Sequence, residues 1–472
     1  MLASPASQRS RIGRPDVTID ILQDDVLLEV FDSYRKLVIR NKGMWNWQKL
    51  LHVCRRWRYL ILTSPRRLDL RIECHRSTPA SRYLDIWPPF PISISCDPWD
   101  DSQDNHNIFA ALQRRDRISH IDLSCITWLE MEQFASVMDG PFPALTDLCV
   151  SPYLGDFPAG LPDSFLGGSA PRLRSFVLED CAFSALPNLV LSATHFHQLH
   201  LCGIPPTGYI LPETMVTFLL PLHNLEGLTI GFTDPESPPL QISPPPSTHA
   251  LLPSLTSFQF EGDSKYLMDF ITRIDAPILD KFRMTFYSDT IPNISQLHEF
   301  IDRIDRPKKF THAKVFMRYS EVQAIFESPT NLELDFTFAI YFTADPPLVS
   351  MMRLFEQLPI ISSQVEQLEL HDISIEEWIA EVSDSQWLLL LLNPFISVKS
   401  LYLSEWLASF IASALEELPG ERVTELLPAL DNLFLKGFGS SGSVEESIES
   451  FVSMRQLSGH PVILRRWELE SA

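Results

Sequence analysis

The chain is 472 residues long and 45% hydrophobic, with 37 Pro, 17 Gly and a formal net charge of −22. Such length and apolar content exclude a largely disordered chain and leave room for a few ordinary domains or one long repeat array. Charge is uneven: residues 1–80 hold 15 Lys or Arg against 8 Asp or Glu and the remainder 23 against 52, an acidic surplus that argues against nucleic acid as the main ligand.

Residues 1–15 read as a disordered tail, because the Ser- and Arg-rich stretch is short and runs straight into a patterned segment. Leu22, Val26, Leu27, Val30 and Phe31 then recur at three- and four-residue spacing, and Leu50, Val53, Cys54 and Trp57 do the same. This predicts two or three short amphipathic helices. A unit of that size buries little apolar surface alone, so part of its stripe is expected to dock on a partner.

These residues resemble the F-box, in the form common in basidiomycete fungi. Val26-Leu27-Leu28-Glu29-Val30-Phe31 fits its opening half, and Val53-Cys54-Arg55-Arg56-Trp57-Arg58 fits its closing half. The resemblance places an F-box at 16–75. It implies that Leu22, Val26, Leu27, Val30, Phe31, Leu50, Val53 and Trp57 form or support the face that binds a Skp-type adaptor, and through it a cullin. Gln23 stands where the family usually has Pro, a residue whose fixed φ suits a helix start. Arg55, Arg56, Arg58, Arg66, Arg67 and Arg71 form the one basic cluster. It reads as a solvated face beside the F-box helices, which an acidic adaptor surface would explain without any nucleic acid.

Residues 76–115 read as a linker and first cap. From about residue 116 the pattern apolar-x-x-apolar-x-apolar returns at irregular intervals. It is seen at Ile118-Leu123, Leu145-Val150, Leu173-Leu178, Phe196-Leu201, Leu225-Ile230, Leu255-Phe260, Leu279-Met284, Val365-Leu370, Val398-Leu403 and Leu430-Leu435, with degraded copies near Ala313-Val315 and Leu332-Phe336. This resembles the leucine-rich repeat, in which stacked strands build one parallel sheet and the intervening segments return as helices or turns. Trp128 to Met138, Leu267 to Ile274 and Leu297 to Ile304 have helical spacing, while Pro88 to Pro98, Pro205 to Pro212 and Pro235 to Pro253 read as loops. The expected fold is therefore α/β: a helical F-box, then an irregular leucine-rich-repeat solenoid over 116–472. Its parallel sheet would lie on the concave face, helices and loops on the convex face, and a cap over Val444 to Trp467.

Alternation along the strands leaves His200, Lys281, Arg283, His371, Tyr402 and Phe434 pointing away from the core, as candidates for binding a target protein. Tyr402 and Phe434 lead, because aromatics dominate interface hot spots. Their competing role is to sit beneath a C-terminal segment such as Trp467.

Catalytic and cofactor chemistry has little to rest on. Gly437-Phe438-Gly439-Ser440-Ser441-Gly442 matches a dinucleotide-binding fingerprint but lacks a nucleotide fold around it. His195, His197, His200 and Cys202 are metal-capable, yet only His200 and Cys202 share a strand face. No catalytic residue, metal or cofactor is assigned. Seven Cys without a Cys-x-x-Cys pair suit a reducing compartment, so a cytoplasmic or nuclear location is expected. The apolar run Trp387 to Leu392 is too short to span a bilayer. An F-box followed by leucine-rich repeats resembles the substrate receptor of a cullin-RING ubiquitin ligase. The alternative is an interaction scaffold acting outside ubiquitination.

Overall fold

The computed structural model describes residues 19–467 apart from 41–46, 66, 78–79, 87, 97–104, 154–159, 194, 234–247, 287–293, 306–309, 319–320, 329–336, 343–351, 353–354, 357, 375–389, 405–406, 409–423 and 437–441. The chain divides into two compact units, residues 1–120 and 121–472.

The first unit opens with a short 3-10 turn at Ile19–Ile21 and three helices: α1 (Asp24–Arg40), α2 (Trp47–Leu51) and α3 (Arg55–Thr63). Asp24 and Asp25 occupy the first turn of α1, where carboxylates complement the helix dipole. α3 is capped by Cys54, whose sulfur accepts from the Trp57 N–H at 3.5 Å. Leu50, Val53 and Trp57 therefore do not share one continuous helical stripe. The chain breaks at 52–54, and Val53 lies in the break. Beyond α3 come β1 (Ile72–Cys74), α4 (Ala80–Ile86), β2 (Ile92–Ser95) and α5 (His106–Leu112). β1 and β2 pair in parallel, so the proline-flanked 88–98 stretch holds a strand and is not simply a loop. Ile92 and Ile94 are fully buried, which repays ordering it.

Each of the ten repeat motifs supplies a strand, the first of them crossing the division at residue 120 and the others in the second unit. These are β3 (Ile118–Ile126), β4 (Asp147–Pro152), β5 (Ser175–Glu179), β6 (Gln198–Ile204), β7 (Gly227–Phe232), β9 (Ser257–Gly262), β11 (Lys281–Phe286), β15 (Gln367–Ser374), β16 (Ser400–Leu403) and β17 (Asn432–Lys436). Alternate residues face opposite ways, as in β4, β5 and β9, where every second side chain is buried. A second device locks the register. In most repeats one carbonyl accepts two consecutive N–H groups of the next: Thr146 takes Arg174 and Ser175, the series continues to Thr256, which takes Asp280 and Lys281, and it resumes with Thr311, Glu366 and Lys399, the last taking Asp431 and Asn432.

Just before each strand the first apolar residue closes a tight turn onto the carbonyl three residues back, as Leu145 does to Phe142, Leu173 to Ala170, Leu255 to Leu252, Leu279 to Ala276 and Leu430 to Leu427. Pro143, Pro171, Pro253, Pro277 and Pro428 stand at the second position of these turns, where their fixed φ is already correct. Many of the scattered prolines are thus part of the repeat itself.

The sheet is not all parallel. β12 (His312–Arg318), β13 (Glu321–Glu327) and β14 (Thr337–Phe342) form an antiparallel meander. β14 lies parallel beside β11, and β12 lies parallel beside β15. The order is β11-β14-β13-β12-β15, so the degraded copy near Ala313 is one strand of this inserted meander. The copy near Leu332 lies outside the described residues.

Connecting helices include α6 (Trp128–Val137), α7 (Leu186–Ser192), α8 (Pro212–Leu219), α9 (Ser264–Ile271), α10 (Ile294–Asp302) and α11 (Pro359–Ser362). A small separate pair is made by β8 (Ala250–Leu251) and β10 (Ile274–Asp275). At the far end α12 (Gly442–Leu457) is followed by β18 (Ile463–Trp467), which pairs with β17.

Candidate functional site

In the first unit the eight expected adaptor residues separate into three groups. Leu27, Phe31 and Trp57 are core residues. Val26 is 45% exposed, Val30 43% and Val53 57%, while Leu22 and Leu50 are half-buried. Ile21, Leu37 and Tyr59 are also more than half exposed. Leu37 follows Val26 and Val30 at helical spacing, so that period would have found it. Exposed aliphatics at 26, 30 and 37 over a floor of Leu27 and Phe31 make an apolar helix face, the kind that rarely stays uncovered.

Four arginines of the basic cluster have partners within this unit. Arg56 donates to the Leu22 carbonyl at 2.6 Å and to Asp24 Oδ1 at 2.6 Å. Arg67 reaches Asp25 at 2.8 Å and Glu29 at 3.0 Å, and Arg58 donates to the Leu51 carbonyl at 2.9 Å. Acids of α1 thus pair with Arg56 and Arg67, and Arg71 pairs with Asp69 at 3.3 Å. Arg56 also clamps the start of α1, which forms with Gln23 in place of Pro: Leu27 N–H bonds the Gln23 carbonyl at 3.1 Å.

In the second unit, strand register places His200, Arg283, Tyr402 and Phe434 in one row across the sheet face opposite the buried residues, with Lys281 and His371 in the flanking rows. His200 lies 3.3 Å from Glu179, whose other oxygen accepts from Ser151 at 2.5 Å. Lys281 and Arg283 are exposed. His371 stacks on Phe316 with centroids 4.7 Å apart and lies 3.0 Å from Glu369. Burial alone would raise Glu369, yet the His371 hydrogen bond and the nearby Lys314 hold it below the usual carboxylate range. Tyr402 stacks on Phe434 at 4.3 Å and 6°, and Arg465 lies over the Phe434 ring at 5.8 Å. Both aromatics are half-buried. Arg465 occupies the covering position assigned above to Trp467, whose side chain lies outside the described set.

Glu179, Asp180 and Glu261 lie along β5 to β9, and Lys281, Arg283, Lys314 and Arg465 lie from β11 onward together with Glu327 and Glu369. Gly231 opens a notch beside Glu261, where a Cβ would come within 3.1 Å of Cys202 Sγ. Through it the Cys202 thiol reaches Glu261 Oε2 at 3.6 Å. Burial pushes Cys202 up to about 12 and raises Glu261 as well, which disfavours the thiolate at neutral pH. Among the described residues no group of three or more His, Cys, Asp or Glu is placed to hold a metal ion, and the 195–202 residues do not converge as a metal site would require. Of the glycine-rich fingerprint, 437–441 lie outside the described residues. Among the described residues no helix is long and apolar enough to cross a membrane.

No protein-family model matches the chain, and no curated protein matches it. Among solved structures, the leucine-rich-repeat-containing protein LegL7 from Legionella pneumophila is similar at 12% identity over 84% of this chain and 98% of that chain, with a TM-score of 0.25. A superposition at that level carries no functional argument.

Proposed function

We propose that the chain is the substrate-receptor subunit of a Skp–cullin–F-box type ubiquitin ligase. The 16–75 helices bind the adaptor, and the outer sheet face of the repeats binds a target protein. The chain performs no chemistry in this reading. It raises the effective concentration of a target beside the conjugating enzyme.

The observation that carries the reading is the division of the F-box-like residues. Leu27, Phe31 and Trp57 are spent on the internal core, while Val26, Val30 and Val53 remain exposed. A helix, α1, that leaves Val26 and Val30 in water while Phe31 beneath it packs on Trp57 of α3 is organised for docking. The repeat sheet supports the second half of the reading, since it presents side chains at fixed register over a long face.

The test is affinity purification of the full chain from cells. Recovery of a Skp-type adaptor together with a cullin is the expected result. Adaptor without cullin would favour a scaffold acting outside ubiquitination, and recovery of neither would overturn the proposal.

A further inference from the structure

Ser64 ends α3 as its C-cap, with φ −123° and ψ 42°, outside the helical range. Pro65 follows it, which disfavours a helical Ser64 and supplies no N–H. The chain then turns back on itself: the Leu68 N–H bonds the Ser64 carbonyl at 3.2 Å, and the Leu70 N–H bonds the Pro65 carbonyl at 2.9 Å. A five-residue turn of this kind folds residue 67 back beside residue 64. Thr63 spends its hydroxyl on the Tyr59 carbonyl at 2.7 Å. The neighbouring Ser64 hydroxyl has no hydrogen-bond partner among the described residues, and the residue is only half-buried.

Seven Ser or Thr residues of the chain precede Pro, at positions 4, 64, 78, 151, 237, 243 and 328. Ser64 alone among them has a basic residue, Arg67, three positions on. A kinase that selects Pro after the acceptor and a cation at the third position therefore singles out this hydroxyl. We propose that Ser64 is phosphorylated by a proline-directed kinase, and that the phosphate draws Arg67 away from α1. In the transfer the γ-phosphorus of a nucleoside triphosphate leaves its bridging oxygen and bonds Ser64 Oγ, the hydroxyl proton passes to the kinase's base, and the nucleoside diphosphate departs. Arg67 holds Asp25 at 2.8 Å and Glu29 at 3.0 Å. A phosphate on Ser64 offers the same guanidinium a doubly charged acceptor, and it stands at the C-terminus of α3, where the helix dipole opposes it. Asp25 and Glu29 then lose a shared cation and face the phosphate as like charges, so α1 is loosened along that side. What α1 docks on rests on the ligase reading, and the modification does not.

The test incubates the folded full chain with a cyclin-dependent kinase, its cyclin and Mg-ATP, and locates phosphate by fragment mass spectrometry. Amide hydrogen exchange of α1 is compared before and after. Phosphate is expected at Ser64 and is lost from that position in Ser64→Ala. Exchange across α1 should become roughly fivefold faster once the phosphate is on, while the strands of the second unit exchange as before. Arg67→Gln, which lacks the cation from the start, should show the faster α1 exchange without phosphate. An unmodified Ser64 would overturn the proposal, and so would phosphate that enters only a heat-unfolded chain. Phosphorylated chain whose α1 exchanges as slowly as unmodified chain would overturn the displacement of Arg67. None of these readouts uses the adaptor, so failure here is distinct from failure of the ligase reading.

Discussion

Phe31 of α1 and Trp57 of α3 meet with ring centroids 4.8 Å apart and planes tilted by 59°. The two halves of the F-box-like motif are thus joined through their aromatics, inside the unit. Phe31→Ala is expected to cost about 3–5 kcal/mol and to open the first unit to limited proteolysis while the repeat strands stay protected. A Phe31→Ala chain with wild-type protease resistance would show that the pair is not what holds α1 to α3.

Gly203 has a φ of +62°, and a Cβ there would collide with the carboxylate of Asp180. Asp180 itself has a φ of 53° and bonds the Cys202 carbonyl at 3.0 Å. Gly203→Ala should therefore destabilise the second unit by more than ~1 kcal/mol, read as a lowered urea midpoint. Gly168, also at positive φ but with open space around it, is the control, and its Ala variant should lose clearly less.

Three thiols make alkaline stability a measurable property. Burial raises Cys74, Cys181 and Cys202 from 9.0 to about 12. The folded state holds these protons more tightly than the unfolded chain. The stability they contribute is complete below pH 9 and is lost as pH rises through about 12. Thermal melting should decline across that window, and Cys202→Ala should make the decline shallower. An unchanged slope would mean that Cys202 titrates like a free thiol.

Tyr402 and Phe434 lie in register on β16 and β17 with Arg465 beyond them. Replacing both aromatics by Ser removes a stacked pair that faces away from the core, so the melting temperature should shift little while a bound target protein is lost and the adaptor is retained. Retention of the target would move the target surface off these strands.

The repeat strands were legible because alternation and the apolar-x-x-apolar-x-apolar spacing are local signals, and Leu173, Phe176 and Leu178 carry both in six residues. The β12–β14 meander was not legible. Val322, Ala324 and Phe326 alternate as a strand should, but Tyr319-Ser320 between β12 and β13 offers no Gly, Asn or Pro to announce a reversal of direction. The docking residues were half legible. Helical spacing identifies Val26, Leu27, Val30 and Phe31 as apolar positions, and only the packing of α3 determines that 27 and 31 turn inward while 26 and 30 remain in water. The acids that pair with Arg56 and Arg67 were not legible, because they lie 32 to 42 positions away in sequence.

The central claim is that α1 presents its valines to an adaptor, and one comparison tests it most directly. Full-length chain carrying Val26→Glu and Val30→Glu is assayed beside wild type for co-purification of the Skp-type adaptor, with thermal melting of each recorded in parallel. Both valines are already more than 40% exposed, so the account predicts a melting transition close to wild type and no recovered adaptor. A folded double variant that still brings down the adaptor in wild-type amount would contradict it.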